Sequence, residues 1–364
     1  MKHTDNYCII MAGGVGTRFW PLSKTSKPKQ FLDILGTGKT LLQQTFDRIS
    51  KICPIENIFI VTNEDYKELT ALQLPRIKEE QILLEPMRRN TAPCIAYAAF
   101  KIKILNPNAN IIVAPSDHLI LKEDEFVNTV NKGIEFVSKN DALLTLGIKP
   151  SRPDTGYGYI QINNETQIVG NPKLKQVKTF TEKPELEMAK FFVESGEFFW
   201  NSGIFIWSLK SILSELKKHL PDVYNLFNDG NCIYNTPKEK EFILNTYSEC
   251  KNVSIDYGVM EKSDNVYVMC SDFGWSDLGT WGSLYEHSPK DNQNNAISGN
   301  NTIIYKSSNC IINLPNDKLV VIQGLNDYII AESDNTLLIC PKKDEQNIRQ
   351  IVNDVKLKKG DSFV

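Results

Sequence analysis

Between residues 12 and 30 the chain gathers three glycines and four cations: Ala12-Gly13-Gly14-Val15-Gly16-Thr17-Arg18, then Lys24, Lys27 and Lys29. No Asp or Glu occurs from residue 6 to residue 32. Glycines let backbone N–H groups close on oxyanions, and the cations neutralise them, so the stretch carries the chemistry of a triphosphate site. It is not a dinucleotide fingerprint, because Gly14-Val15-Gly16-Thr17-Arg18-Phe19 ends in Phe where G-x-G-x-x-G requires Gly. Nor is there a P-loop: Gly38-Lys39-Thr40 has Asp33 in the position of the first glycine. Further candidates follow in order down the chain. They are Glu85-Pro86-Met87-Arg88-Arg89-Asn90-Thr91-Ala92-Pro93, Pro115-Ser116-Asp117-His118 and Trp275-Ser276-Asp277-Leu278-Gly279, while Thr155-Gly156-Tyr157-Gly158-Tyr159, Thr181-Glu182-Lys183-Pro184 and Trp200-Asn201-Ser202-Gly203 read on their own as a Gly-bearing strand, a strand end and a buried aromatic turn. Asp117 and Asp277 each stand where a strand gives way to a turn, a place where a lone Asp usually caps the next element. The four histidines and eight cysteines are scattered, with no C-x-x-C, so no zinc site and no disulfide framework is expected. The thiols are expected to be reduced and mostly in the core.

The elements that position these residues are readable from periodicity. Apolar runs at 7–11, 58–62, 81–84, 111–114 and 143–146 alternate with helix-like segments at 41–50, 65–74, 91–105 and 123–138. That rhythm predicts βαβ units and a Rossmann-like α/β fold whose mixed, mostly parallel sheet is covered on both faces. Ligands in such sheets sit at the carboxyl ends of the strands, where the candidates above fall. Aromatic-rich strands are predicted at 157–162, 175–180 and 204–207, and a helix at 185–194. After Asp291 the segment 292–295 reads as a linker. Short apolar runs then begin near residues 303, 311, 320, 329 and 337, which predicts a small β-rich domain, a partial solenoid, closed by a helix over 345–357. The expected domains are therefore 1–290 and 291–364. A chain of 364 residues with 41 basic and 44 acidic side chains, net −3, has no charge excess for coating nucleic acid or anionic membrane. No stretch approaches the apolar length of a membrane span or a signal peptide, so a cytoplasmic location is expected.

The string Gly-Gly-x-Gly-Thr-Arg-x-x-Pro-Leu followed by Pro28-Lys29 resembles the signature of sugar-1-phosphate nucleotidyltransferases. Its fuller form, Gly16-Thr17-Arg18-Phe19-Trp20-Pro21-Leu22-Ser23 through Phe31, is similar to that of bacterial mannose-1-phosphate guanylyltransferases. The later motifs match the same family from residue 9 to about 282. The resemblance implies a nucleotidyltransferase fold and the reaction of GTP with α-D-mannose 1-phosphate to GDP-mannose and pyrophosphate. It also implies Mg²⁺ as cofactor and a partial left-handed β-helix at the C-terminal end that helps form a homodimer; with the charge balance above, no nucleic-acid or membrane partner is expected. Under it, Ala12, Gly13, Gly14, Gly16, Thr17, Arg18, Lys29, Glu85, Arg89, Asn90 and Ser116 bind the nucleotide. Gly156, Glu182, Lys183 and Asn201 bind the sugar phosphate, and Asp117 and Asp277 hold the metal. Arg18, Lys29, Asp117, Lys183 and Asp277 are the residues expected to carry catalysis. Glu85 contacts the base through either its side chain or its backbone, and the 254–262 segment receives no chemical role. A sugar phosphate is already largely dianionic at neutral pH, so no triad is expected. Rival readings are a nucleotidyltransferase for another base or sugar and a silent nucleotide-sugar-binding subunit. A phosphomannose isomerase domain, found in some relatives, is not expected.

Overall fold

The computed structural model describes residues 3–164 and 171–364. The chain divides into two compact units. One gathers Met1–Gly13, Thr45–Ser116 and Ile120–Trp275, and the other Gly14–Gln44, Asp117–Leu119 and Ser276–Val364. Most of the glycine-rich loop thus belongs by contact with the C-terminal quarter of the chain.

The first unit is built on a nine-stranded sheet of β1 (Asn6–Met11), β2 (Ile58–Asn63), β3 (Ile82–Glu85), β4 (Asn110–Pro115), β5 (Leu143–Ile148), β6 (Gly158–Asn163), β7 (Leu174–Glu182), β8 (Phe198–Ser208) and β9 (Val266–Ser271). Its order is β3-β2-β1-β4-β8-β5-β9-β7-β6, with β8 also pairing β6. Parallel ladders join β1 to β2 and β4, β2 to β3, and β5 to β9. β8 runs antiparallel between β4 and β5. The central strands are buried along almost their whole length, as β-strands covered on both faces must be. Thr91–Leu105 forms one helix, buried on nearly every side from Ala92 to Ile102 and packed on Ile9, Val61 and Val113. An all-round apolar helix of this kind belongs in a core.

The predicted strand at 204–207 is longer than expected, and the reason is local. Asn201, Ser202 and Gly203 interrupt the apolar pattern, yet Gly203 at φ +68° and a register shift between Thr145 and Gly147 let β8 continue through them. The polar residues of this interruption are the ones singled out for binding.

In the second unit, strands Ala296–Ser298, Ile311–Asn313 and Tyr328–Ser333 pair in parallel, closed by antiparallel Thr336–Pro341. Thr302–Tyr305 pairs in parallel with Val320–Gln323. Residue 302 stacks on 320 and 311 on 329, so two neighbouring runs make one 18-residue coil of a small β-solenoid. The 292–295 segment is not a free linker. Asn295 is fully buried, donating from Nδ2 to Asp291 and to the Ser307 carbonyl while its Oδ1 accepts from Cys310 N. Asp291 closes the turn by accepting from the N–H groups of Gln293 and Asn295. The closing helix begins later than predicted, at Ile348–Lys359, after a 3₁₀ turn over Lys342–Asn347. Its Ile348 and Val352 share a core with Phe19, Trp20, Trp281, Ile311 and Ile329. Six of the eight cysteines are buried, while Cys232 is exposed and Cys270 half-buried.

Candidate active site

The functional residues form two clusters, one in each unit. In the second unit the loop is shaped by Gly16, whose φ of +55° favours glycine, and a Cβ there would come within 2.7 Å of Lys29 Cβ. Ser23 Oγ donates to the Gly16 carbonyl and Gln30 Nε2 to that of Gly14, at 2.5 and 2.8 Å. Phe19 and Trp20, which look like part of a binding signature, are buried core residues. The Phe19 ring packs on Trp281 with centroids 5.3 Å apart, and Trp20 Nε1 donates to the Phe363 carbonyl.

This packing aims the cations. Lys29 is buried, and its ammonium lies 2.7 Å from Asp117 Oδ2 while donating to the Asp277 carbonyl at 2.7 Å and to that of Leu278 at 3.3 Å. Arg18 Nη1 donates to the Gly279 carbonyl at 3.4 Å, and its Nε is buried without a partner among the described residues. Both cations therefore rest on carbonyls of one turn, 277–279. Asp277 braces that turn by accepting from Gly279 N at 2.8 Å. Burial pushes the Asp117 carboxyl up, but the Lys29 charge and, after it, that of His118 outweigh burial and hold it below the usual carboxylate range. Arg349 on the closing helix is lowered from its usual value, first by the charge of Arg18 and then by burial. That places a further guanidinium in this field, which no motif announced.

A metal fits these residues only as a partly hydrated ion. Asp117 is kept ionised, the Lys29 ammonium already holds a positive charge between its carboxylate and the Asp277 carbonyl, and among the described residues no group of three or more His, Cys, Asp or Glu converges. Hard oxygen donors in this number suit a divalent cation that keeps several waters rather than an all-protein cage.

In the first unit, Ala12 is tied to β2 by its N–H to the Val61 carbonyl and by Thr62 Oγ1 to its own carbonyl. Ser116 is buried and donates its N–H to the Met11 carbonyl. Glu85 ends β3 with its carboxylate turned inward. Oε1 accepts from Tyr247 Oη at 3.0 Å, and Oε2 lies under Gly13, 3.1 Å from where a Cβ would stand. Burial raises this carboxyl to about 7, opposed by the Tyr247 hydrogen bond and the charge of Arg88. Asn90, at φ +69°, caps Thr91–Leu105 by accepting from Thr91 N. Arg89 is engaged elsewhere: Nε donates to the Tyr247 carbonyl and Nη2 to that of Ser248, near the end of helix Glu239–Glu249.

Glu182 and Lys183 pair with each other at the end of β7, and Lys183 sits at φ +48°. Gly158 stands opposite Glu182 in the ladder, and a Cβ there would collide with Glu182 Oε2, so glycine makes room for the carboxylate. The sequence motif points to Gly156 instead, whose N–H is spent on Asp154 Oδ1 at 2.8 Å. The Tyr157 ring packs edge-on to Trp200 at 4.9 Å and to Trp275 at 5.4 Å. Asp256 is the residue sequence reasoning left without a role. It opens a π-helical turn, Asp256–Met260, and its Oδ1 accepts from Asn201 Nδ2 at 2.7 Å. The segment before it is fastened to the 89–92 motif, with Ile255 N donating to Thr91 Oγ1 and Ala92 N to the Val253 carbonyl.

The family model for nucleotidyl transferase matches residues 7–294, and that for the MannoseP isomerase/GMP-like beta-helix domain matches 300–355. The chain is 36% identical over 353 residues to a putative mannose-1-phosphate guanylyltransferase of Vibrio cholerae, covering 96% of this chain and 74% of that protein. It is 36% identical to a mannose-1-phosphate guanylyltransferase of Klebsiella pneumoniae, covering 96% and 73%. The alginate biosynthesis protein AlgA of Pseudomonas aeruginosa is 34% identical, with 95% and 71% covered. Among solved structures, one from Thermus thermophilus, described as a mannose-1-phosphate geranyltransferase, is similar with a TM-score of 0.86 and 27% identity, covering 97% of this chain and all of that one. The chain belongs to the nucleotidyl transferase family, in its mannose-1-phosphate guanylyltransferase branch.

Proposed function

We propose that this chain transfers GMP from GTP to α-D-mannose 1-phosphate, giving GDP-mannose and pyrophosphate. The observation that carries the reading is the ammonium of Lys29, from a stretch free of acids, held against Asp117 and the carbonyls of Asp277 and Leu278. The nucleophile, a phosphate dianion, needs no base. The protein's work is to bring two anionic phosphates into line and to neutralise the charge that develops. Arg18 is assigned to the β and γ phosphates and Lys29 to the α phosphate. Lys183 neutralises the attacking phosphate, while Glu182 and Asn201 hold the sugar hydroxyls. Because the Glu85 side chain is buried and its Oε1 accepts from Tyr247, main-chain carbonyls of the 85–90 segment are assigned to the N1–H and N2–H donors of guanine. Asp117 and Asp277 would hold Mg²⁺, which supplies neutralisation of the phosphate oxygens when bound.

Pyrophosphate release measured across the four common NTPs and a set of sugar 1-phosphates tests this reading. Release is expected from GTP with mannose 1-phosphate in preference to every other pair. Preferred turnover with another base or another sugar would move the chain to a different activity within the family, and no release from any pair would refute catalysis.

A further inference from the structure

Asn201 is held in one amide orientation. Its Oδ1 accepts from the backbone N–H of Gly203 at 3.2 Å, and a backbone N–H can only donate, so the atom facing it must be oxygen. Thr145 Oγ1 approaches the same oxygen at 3.1 Å, its proton shared with the Ile204 carbonyl at 3.2 Å. The amide nitrogen is thereby turned to Asp256, to which it donates one proton at 2.7 Å. Its second proton has no protein partner among the described residues. Asn201 can therefore offer a ligand one N–H donor, and its oxygen is already occupied.

Asp256 supplies the complementary half. It accepts through Oδ1 alone from Asn201 and forms no ion pair among the described residues, although Glu182 stands close enough to raise its carboxyl after burial has done so. Glu261 is raised in turn by burial and by the charges of Asp256 and Glu182. Carboxylates only accept, so this corner presents several acceptors around one fixed amide donor. Each hydroxyl of a sugar is both donor and acceptor and satisfies such a set by donating to a carboxylate while accepting from the amide. The Tyr157, Trp200 and Trp275 rings add an aromatic surface to the same unit.

We propose that Asp256 is a specificity-determining residue that accepts a hydrogen bond from a hydroxyl of the sugar 1-phosphate and fixes Asn201 with its remaining N–H toward that sugar. The inference rests on the proposed function above, and deepens its sugar site by a residue from the π-helical turn. Asp256→Asn separates the two roles. An asparagine can turn its oxygen to Asn201 and keep that side chain in place, but its other atom then donates where the carboxylate accepted. Asp256→Ala loses both.

Steady-state kinetics with mannose 1-phosphate and its monodeoxy analogues provide the test, with melting temperature as the check on folding. Asp256→Asn is expected to raise the sugar 1-phosphate KM about tenfold or more, the scale of losing a hydrogen bond to a charged group, while the GTP KM stays within about twofold. Asp256→Ala is expected to raise it at least as far. For the one analogue that lacks the hydroxyl Asp256 reads, the wild-type and Asp256→Asn values should converge to within about twofold, as in a double-mutant cycle. Asp256→Glu, which keeps the acceptor but shifts its reach, shows the same split between substrates should the Asn variant fold poorly. A ratio identical for every analogue, or a parallel rise in the GTP KM, would overturn the proposal while leaving the activity itself intact. A wild-type protein silent with every sugar 1-phosphate would overturn the underlying reading and this one together.

Discussion

Glu85 shows how much a single residue's role depends on what surrounds it. Its place after β3 invites assignment as a base-reading carboxylate, but the side chain is buried between Tyr247 and Gly13. A carboxyl raised to about 7 in the native state keeps its proton over a range where the unfolded chain, titrating near 4.5, has lost it. Unfolding then becomes easier as pH rises from about 4.5 through 7, at most about 3 kcal/mol in all by linkage. Glu85→Gln removes this dependence and retains an acceptor for the Tyr247 hydroxyl. Urea unfolding of both proteins at pH 5 and pH 8 is expected to show the wild type losing stability relative to the variant at the higher pH. A difference that does not change with pH would contradict the assignment. Of the site residues, those legible from sequence lie within contiguous motifs: Arg18, Lys29, Asp117 and Lys183. Asp256 was not legible, because its meaning comes from Asn201, 55 residues away along the chain.

At the scale of elements, the glycine-rich loop is the part on which the rest depends. Gly14 and Gly16 look equivalent in the string, yet only one is confined. A Cβ at Gly14 would meet nothing within 4 Å, whereas one at Gly16 would add left-handed strain and push on Lys29. Gly16→Ala is expected to cost about 1–2 kcal/mol from the backbone alone, with a larger loss of pyrophosphate release because Lys29 is displaced. Gly14→Ala should change melting temperature and turnover little. Equal behaviour of the two variants would show that the loop is not held as described. Helix Thr91–Leu105 could be read to its last residue, because Asn90 caps it and its residues from Ala92 to Phe100 are apolar throughout. The course of β8 could not, since Asn201-Ser202-Gly203 hides a strand whose neighbours β4 and β5 are antiparallel to it. The 292–295 segment misled for the opposite reason: its polar composition reads as open chain, but buried Asn295 spends its amide on Asp291, Ser307 and Cys310.

For the whole molecule, the near-neutral balance of 41 basic and 44 acidic residues conceals a sharp local division. One unit holds an acid-free loop whose Arg18 and Lys29 are seated on main-chain carbonyls, and the other a polar corner rich in carboxylates. Cations gathered in an acid-free stretch suit an incoming polyphosphate, and acceptors around a fixed amide suit a polyol. The chemistry that joins such ligands is displacement at the α phosphate by the sugar phosphate, with pyrophosphate leaving. The most direct test follows the oxygen. With mannose 1-phosphate carrying ¹⁸O in its phosphate, incubated with GTP, Mg²⁺ and the purified protein, mass spectrometry is expected to find one GDP-mannose for each pyrophosphate, all of the label in the GDP-mannose and none in the pyrophosphate. Label in the pyrophosphate, or pyrophosphate formed without GDP-mannose, would contradict the account.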